Sequence, residues 1–227
     1  MTKRLLSLLP LLMTSFCCSA QTVSGKVAGH DYVDLGLPSG IKWATCNVGA
    51  DKPTKYGEIF AWGETSPKTE KKYNWRDYKW VKDLNPSFTK YVTSSTFGSV
   101  DNKSTLEAED DAASVNWGKT WRTPTIAELR ELKEGCEWSW TKDFNGSGVA
   151  GEIGTSKSNG KTIFLPAAGY MTFSEGHDDV GGGGYYWSSS LYEDQSYQAY
   201  RFDFRDNFFL DEEAMRYHGR SIRAVTK

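Results

Sequence analysis

Thr123-Pro124-Thr125-Ile126-Ala127-Glu128-Leu129-Arg130-Glu131-Leu132-Lys133-Glu134-Gly135-Cys136 carries the clearest helical period in the chain, and the fold class turns on it. Thr123 can cap, Pro124 suits a first turn, and Thr125 to Glu128 has capping-box spacing. Ile126, Leu129, Leu132 and Cys136 then share one face, while Glu128, Arg130, Glu131, Lys133 and Glu134 stay wet. Gly135 marks the end.

Outward from this helix the signals are those of strands. Upstream, His30-Asp31-Tyr32-Val33-Asp34-Leu35-Gly36-Leu37 alternates apolar and polar residues, Pro38-Ser39-Gly40 can turn, and Ile41-Lys42-Trp43-Ala44 returns, which predicts an opening hairpin. Between Gly63 and Gly118 the chain is polar, with isolated aromatics at Tyr73, Trp75, Tyr78, Trp80, Phe88 and Tyr91. That pattern predicts long loops anchored by aromatic side chains, with one short helix over 105–113. Downstream, Trp138-Ser139-Trp140-Thr141 reads as a strand, and Asn159-Gly160 as a hairpin turn into Lys161-Thr162-Ile163-Phe164-Leu165. Four glycines at 181–184 precede Tyr185-Tyr186-Trp187-Ser188-Ser189-Ser190. Tyr200, Phe202 and Phe204 share one strand face, with Arg201 and Asp203 on the other. Arg205-Asp206-Asn207 can turn the chain into Phe208-Phe209-Leu210, and Ser221-Ile222-Arg223-Ala224-Val225 closes near the first strand. One or two helices with seven or so short strands give an α+β fold, not an alternating βαβ one.

The amino terminus points to export. Lys3 and Arg4 precede Leu5-Leu6-Ser7-Leu8-Leu9-Pro10-Leu11-Leu12-Met13, an apolar run too short to span a bilayer, and Cys18-Ser19-Ala20 predicts cleavage before Gln21. The expected organisation is a signal peptide over 1–20, a short lead over 21–29 and one domain over 30–227. Cys17 and Cys18 lack the residues a lipid-attachment box wants before them, so plain cleavage is expected over lipid anchoring. The destination is then the periplasm, the outer surface or the medium. No other stretch is apolar enough to cross a membrane. Without Lys3 and Arg4, 25 basic residues face 29 acidic ones, a net charge of −4 that argues against general nucleic-acid or anionic-membrane binding. Cys46 and Cys136 would be the remaining thiols in an oxidising compartment, which predicts a disulfide between them.

Patterns of catalysis are scarce. His30, His177 and His218 stand in no metal-ligand spacing. His177-Asp178-Asp179 beside Glu175 could offer oxygens to a structural calcium, but the spaced acids and closing Glu of a calcium loop are missing, so a solvated acidic loop and no cofactor are expected. Ser188-Ser189-Ser190 lacks the Gly-x-Ser-x-Gly elbow, and Glu58 and Glu64 are not shown to flank a cleft as a glycosidase pair must. The glycines at 181–184 lack the following Lys and helix of a phosphate loop. Aromatics are abundant instead: 9 Trp, 12 Tyr and 11 Phe exceed what one core of this size needs. Trp43, Trp62, Trp121 and Trp187 read as core, and some of the rest should line a surface or pocket, where Trp and Tyr bury much area at little entropic cost. Binding is therefore expected over catalysis.

Asp31-Tyr32-Val33-Asp34-Leu35-Gly36-Leu37, Lys42-Trp43-Ala44-Thr45-Cys46-Asn47-Val48-Gly49-Ala50, Tyr56-Gly57 and Phe60-Ala61-Trp62-Gly63-Glu64-Thr65 resemble the opening of the Fibrobacter succinogenes major paralogous domain. Trp121-Arg122-Thr123-Pro124-Thr125, Glu128-Leu129, Leu165-Pro166-Ala167-Ala168-Gly169-Tyr170, Tyr186-Trp187-Ser188-Ser189-Ser190 and Gly219-Arg220-Ser221-Ile222-Arg223-Ala224-Val225 are similar to its later blocks, in order over about 30–225. The resemblance implies a C-type-lectin-like fold, related to the formylglycine-generating enzymes, in exported proteins of gut and rumen bacteria. It implies no known reaction. The copper-binding cysteine pair of those enzymes has no counterpart, since no cysteine follows Cys136.

In similar domains diversified by retroelements, the segment between the Trp-Ser-Ser block and the last Ile-Arg strand displays the ligand contacts. Carried over, 191–197, 205–207 and 211–217 with Arg201, Asp203 and His218 are display positions, while Trp187, Phe202, Phe204, Gly219, Ile222 and Arg223 are scaffold. The implied binding residues are Tyr192, Glu193, Asp194, Gln195, Tyr197, Arg201, Asp203, Arg205, Asn207, Arg216, Tyr217 and His218. Glu193, Gln195, Gln198, Glu212, Glu213 and Met215 cannot arise from Asn codons by adenine-directed mutation, which argues against active diversification of this copy. The expected function is lectin-like recognition of a glycan or protein at the cell exterior. A structural subunit of a surface assembly is the alternative, and a hydrolase the third reading. Arg201, Arg205, Arg216, Arg220 and Arg223 crowd one segment, which fits an anionic ligand such as an acidic glycan.

Overall fold

The computed structural model describes residues 20–82, 87–173 and 176–227. The signal peptide, with Lys3, Arg4, Cys17 and Cys18, lies outside the described residues, as does Glu175 of the acidic loop. In chain order the elements are β1 (Gly25–Val27), β2 (His30–Val33), β3 (Lys42–Ala44), β4 (Val81–Lys82), β5 (Ser87–Phe88), α1 (Ala112–Trp117), α2 (Ile126–Gly135), β6 (Cys136–Thr141), β7 (Gly151–Ser156), β8 (Thr162–Pro166), β9 (Tyr170–Thr172), β10 (Gly176–Asp178), β11 (Gly184–Leu191), β12 (Gln198–Arg205), β13 (Phe208–Met215) and β14 (Val225–Thr226). These strands pair antiparallel in small sheets, ordered β1-β2-β3-β14, β6-β7-β8, β11-β12-β13, β4-β5 and β9-β10. The fold is α+β. Among the described residues, no helix is long and apolar enough to cross a membrane.

The capping box of α2 forms as spaced: the Glu128 N–H donates to Thr125 Oγ1 at 3.3 Å, and the Thr125 N–H to Glu128 Oε2 at 2.8 Å. Thr123 is not the cap. Its N–H and hydroxyl both donate to the buried Asp111 carboxylate, each at 2.7 Å. Asp111 also caps α1 by accepting from the Ala113 N–H, and this starts the short helix at Ala112 instead of at 105. Ile126, Leu129 and Leu132 of α2 are buried.

The opening hairpin forms, with Val33 opposite Trp43, and β14 adds to its far side with Val225 opposite Trp43. Residues 21–29 are more than a lead, because β1 lies within them, pairs with β2, and Gln21 bonds to the Thr45 carbonyl. The β12–β13 turn needs left-handed backbone at Asp206 (φ 32°) and Asn207 (φ 66°), a conformation Asp and Asn tolerate. Two large apolar clusters make up most of the core. One joins Phe60, Trp62, Trp121, Trp187 and Ile222, and the other joins Trp43, Leu129, Leu132, Ile163, Phe202 and Phe204. The aromatic anchors of the long loops are real: Tyr73, Tyr78, Phe88 and Tyr91 are buried.

Cys46 and Cys136 are both free thiols, so the expected disulfide does not form. Side chains alternate across β3, with Trp43 in the cluster that holds Cys136 and Ala44 in the other. Cys46 lies past the end of β3, in a bend, with its Sγ 3.6 Å from Thr45 Oγ1.

Candidate functional site

Alternation along β12 puts Ala199, Arg201, Asp203 and Arg205 on one face, opposite Tyr200, Phe202 and Phe204. Pairing register then builds columns. Tyr185 and Leu210 flank Asp203, Trp187 and Glu212 flank Arg201, and Phe208 sits beside Arg205. Tyr170 and Thr172 of β9, with His218 and Arg220 from the segment after β13, wall in this face and leave a cleft of about 490 Å³.

The charges in the cleft are distributed unevenly. Arg201 contacts the Asp203 carboxylate and reaches Glu212 Oε2 at 2.9 Å. Arg205 pairs with Asp179 at 2.9 Å and donates to the Tyr185 hydroxyl at 2.9 Å, which itself donates to Asp179. Arg220 is buried at 4% exposure, and its main chain is pinned by reciprocal 3.0 Å bonds with Phe60. Its guanidinium lies over the rings of Trp187, Tyr185 and Tyr170, 5.1, 5.4 and 5.6 Å from their centroids. Neither its Nε nor its Nη1 meets an acceptor. Burial, then the nearby Arg201 charge, pulls Arg220 down to about 9. Burial followed by Arg220 and Arg201 holds His218 down to about 4, so it is neutral at ordinary pH. The arrangement is a cationic recess with aromatic walls.

Of the residues expected to bind, Arg201, Asp203, Arg205 and His218 meet here. The others do not join them. Tyr192, Glu193 and Asp194 border a second depression with Arg130 and Tyr200, where the Tyr192 and Tyr200 rings meet edge to face. Tyr197 and Tyr217 border an aromatic groove with Trp75, Phe88 and Phe97, and Gln195 accepts the Tyr197 hydroxyl. Asn207 is taken up in docking the β12–β13 turn: its N–H donates to Glu152 Oε1 at 2.6 Å, and its Oδ1 accepts from the Trp140 N–H at 3.0 Å.

Arg216 is not a display residue. It is fully buried among Trp62, Tyr78, Phe88 and Tyr91, and donates to the carbonyls of Lys90, Tyr91 and Ser196. Arg223 is likewise internal, bonded to Asn47 Oδ1 and the Ala44 carbonyl. Two of the five crowded arginines therefore serve the core. Tyr185, Phe208 and Leu210 were missed as cleft residues because only strand register places them beside Asp203 and Arg205, Tyr170 and Thr172 because they come from the distant β9, and Phe204, expected as scaffold, also lines the cleft.

Other candidate chemistries find different uses for their groups. Ser188 donates its hydroxyl to the Tyr200 carbonyl at 2.8 Å. Asp178 accepts from the Tyr170 hydroxyl, and His177 Nε2 lies 2.8 Å from the Ala168 carbonyl. Glu107, Glu109 and Asp110 converge as metal ligands could, but the Lys90 ammonium bonds to all three, at 2.6, 3.1 and 2.6 Å.

The chain is similar over residues 153–225 to a family described as a domain of unknown function, DUF8237. That span contains every wall of the cleft. No curated protein and no solved structure matches the chain.

Proposed function

We propose that this protein is an exported ligand-recognition module with a C-type-lectin-like fold, whose binding site is the cleft on the β11-β12-β13 sheet. It acts by binding and carries no reaction of its own. The observation that supports this most is the cleft itself, an aromatic and charged recess of about 490 Å³ in the carboxyl-terminal third, within the size range of ligand pockets. Export rests on Lys3, Arg4 and the apolar run that follows, and the fold name rests on the ordered sequence blocks. The ligand is a glycan or an exposed protein segment.

Screening the purified chain on glycan and peptide arrays tests this reading. Phe208, at the cleft edge and 61% exposed, contributes little to the core, so Phe208→Ala should fold normally and weaken the ligand found by roughly 1–2 kcal/mol. Blank arrays, or unchanged affinity in the variant, would move the function elsewhere. A second reading, a subunit of a surface assembly, draws on Phe173 and Phe208, both more than 60% exposed. Light scattering of the purified chain decides it, since self-assembly would give a mass above that of one chain.

A further inference from the structure

The three arginines of the cleft are not equivalent. Arg201 is answered by Asp203 and Glu212, and Arg205 by Asp179. Arg220 has no carboxylate partner among the described residues, and two of its donor nitrogens meet no acceptor although the residue is 4% exposed. A buried guanidinium without an anion is a costly arrangement, of which the Tyr170, Tyr185 and Trp187 rings offset only part. Its position beside an open recess marks the place where an anion arrives. The same recess holds the complementary orphan: Asp203 Oδ1, in a residue 5% exposed, accepts from no donor.

A ligand that sets a carboxylate on Arg220 and a hydroxyl on Asp203 satisfies both at once. The Asp203 charge opposes a dianion such as phosphate, whereas a single carboxylate with a neighbouring hydroxyl suits the pair. Tyr170, Tyr185 and Phe208 add flat apolar faces against which a sugar ring can lie. Resting on the reading of the cleft as a recognition site, we propose that its ligand class is a carboxylated sugar, with Arg220 holding the carboxylate and Asp203 accepting a hydrogen bond from a ring hydroxyl.

The test titrates the purified chain with glucuronate and galacturonate, with glucose and galactose as uncharged counterparts, and with inorganic phosphate. Binding is followed by calorimetry and by the NMR resonance of the Arg220 Nε–H. The acids should bind at least about tenfold more tightly than the neutral sugars and should shift that resonance, with phosphate weaker than either acid. Arg220→Lys should lower the acid affinity at least about tenfold and narrow the preference for acids over neutral sugars, because a point charge replaces a fork. Should that variant fail to fold, the Arg220 resonance of the unaltered chain still decides. Equal binding of acids and neutral sugars with an unmoved Arg220 resonance would overturn the carboxylate assignment and leave the recognition reading standing. Tighter binding of phosphate than of both acids would also overturn it. If no sugar or phosphate binds and the arrays are blank, both readings fall.

Discussion

Glu152→Gln should make the stability of this protein much less dependent on pH. Glu152 on β7 is fully buried, its Oε1 accepts from the Asn207 N–H at 2.6 Å, and its Oε2 meets no donor. Burial, reinforced by Asp206, pushes its carboxyl from an ordinary 4.5 up to about 7. The folded chain therefore keeps this proton over a range where the unfolded chain has lost it. Its contribution is fully present below pH 4.5 and is lost as pH rises through 7. Taking those two values, the loss between pH 5 and pH 8 comes to about 2.5 kcal/mol. Gln occupies the same volume, still accepts from Asn207, and does not titrate. Urea unfolding of both proteins at pH 5 and pH 8 should thus show the variant gaining about 2.5 kcal/mol on wild type between the two. The same stability difference at both pH values would show that the carboxyl titrates normally and that the cost of its burial has been misjudged.

Further expectations follow from burial and pairing. Trp187→Ala, at 1% exposure and with its indole N–H bonded to the Phe60 carbonyl, should destabilise by roughly 3–5 kcal/mol in chemical denaturation; an unchanged midpoint would refute its core role. Burial pushes the Cys136 thiol up to about 12, so iodoacetamide should label half-buried Cys46 well before Cys136 in the native protein, as mass spectrometry of the peptides would read; equal rates would contradict the packing. Arg216→Ala should cost more than about 3 kcal/mol, because three main-chain carbonyls and the Tyr78 hydroxyl lose their donor, whereas exposed Glu193→Ala should stay within roughly 0.5 kcal/mol; comparable melting temperatures would return Arg216 to the display surface.

The local elements were legible in the sequence because each is set by neighbours along the chain. Capping-box spacing located α2, the Asn159-Gly160 and Asp206-Asn207 pairs located turns, and period-two alternation separated Arg201 and Asp203 from Phe202 and Phe204. The buried tryptophans were readable from their apolar contexts. What the sequence left open depends on contacts between distant segments. Thr123 looked like a cap until Asp111 took its hydroxyl, and Cys46 looked like a partner for Cys136, yet both thiols are free. Five arginines in one short segment look alike as letters, yet Arg216 gives its donors to backbone carbonyls and the Tyr78 hydroxyl, Arg223 is tied to Asn47 and the Ala44 carbonyl with its Nη2 unmet in the core, and Arg220 lines a recess with its Nε and Nη1 unmet. Pairing register, which brings Tyr185 beside Asp203 and Phe208 beside Arg205, is a property of three strands together, and β9 and the segment after β13 close the cleft over that face only in the folded chain.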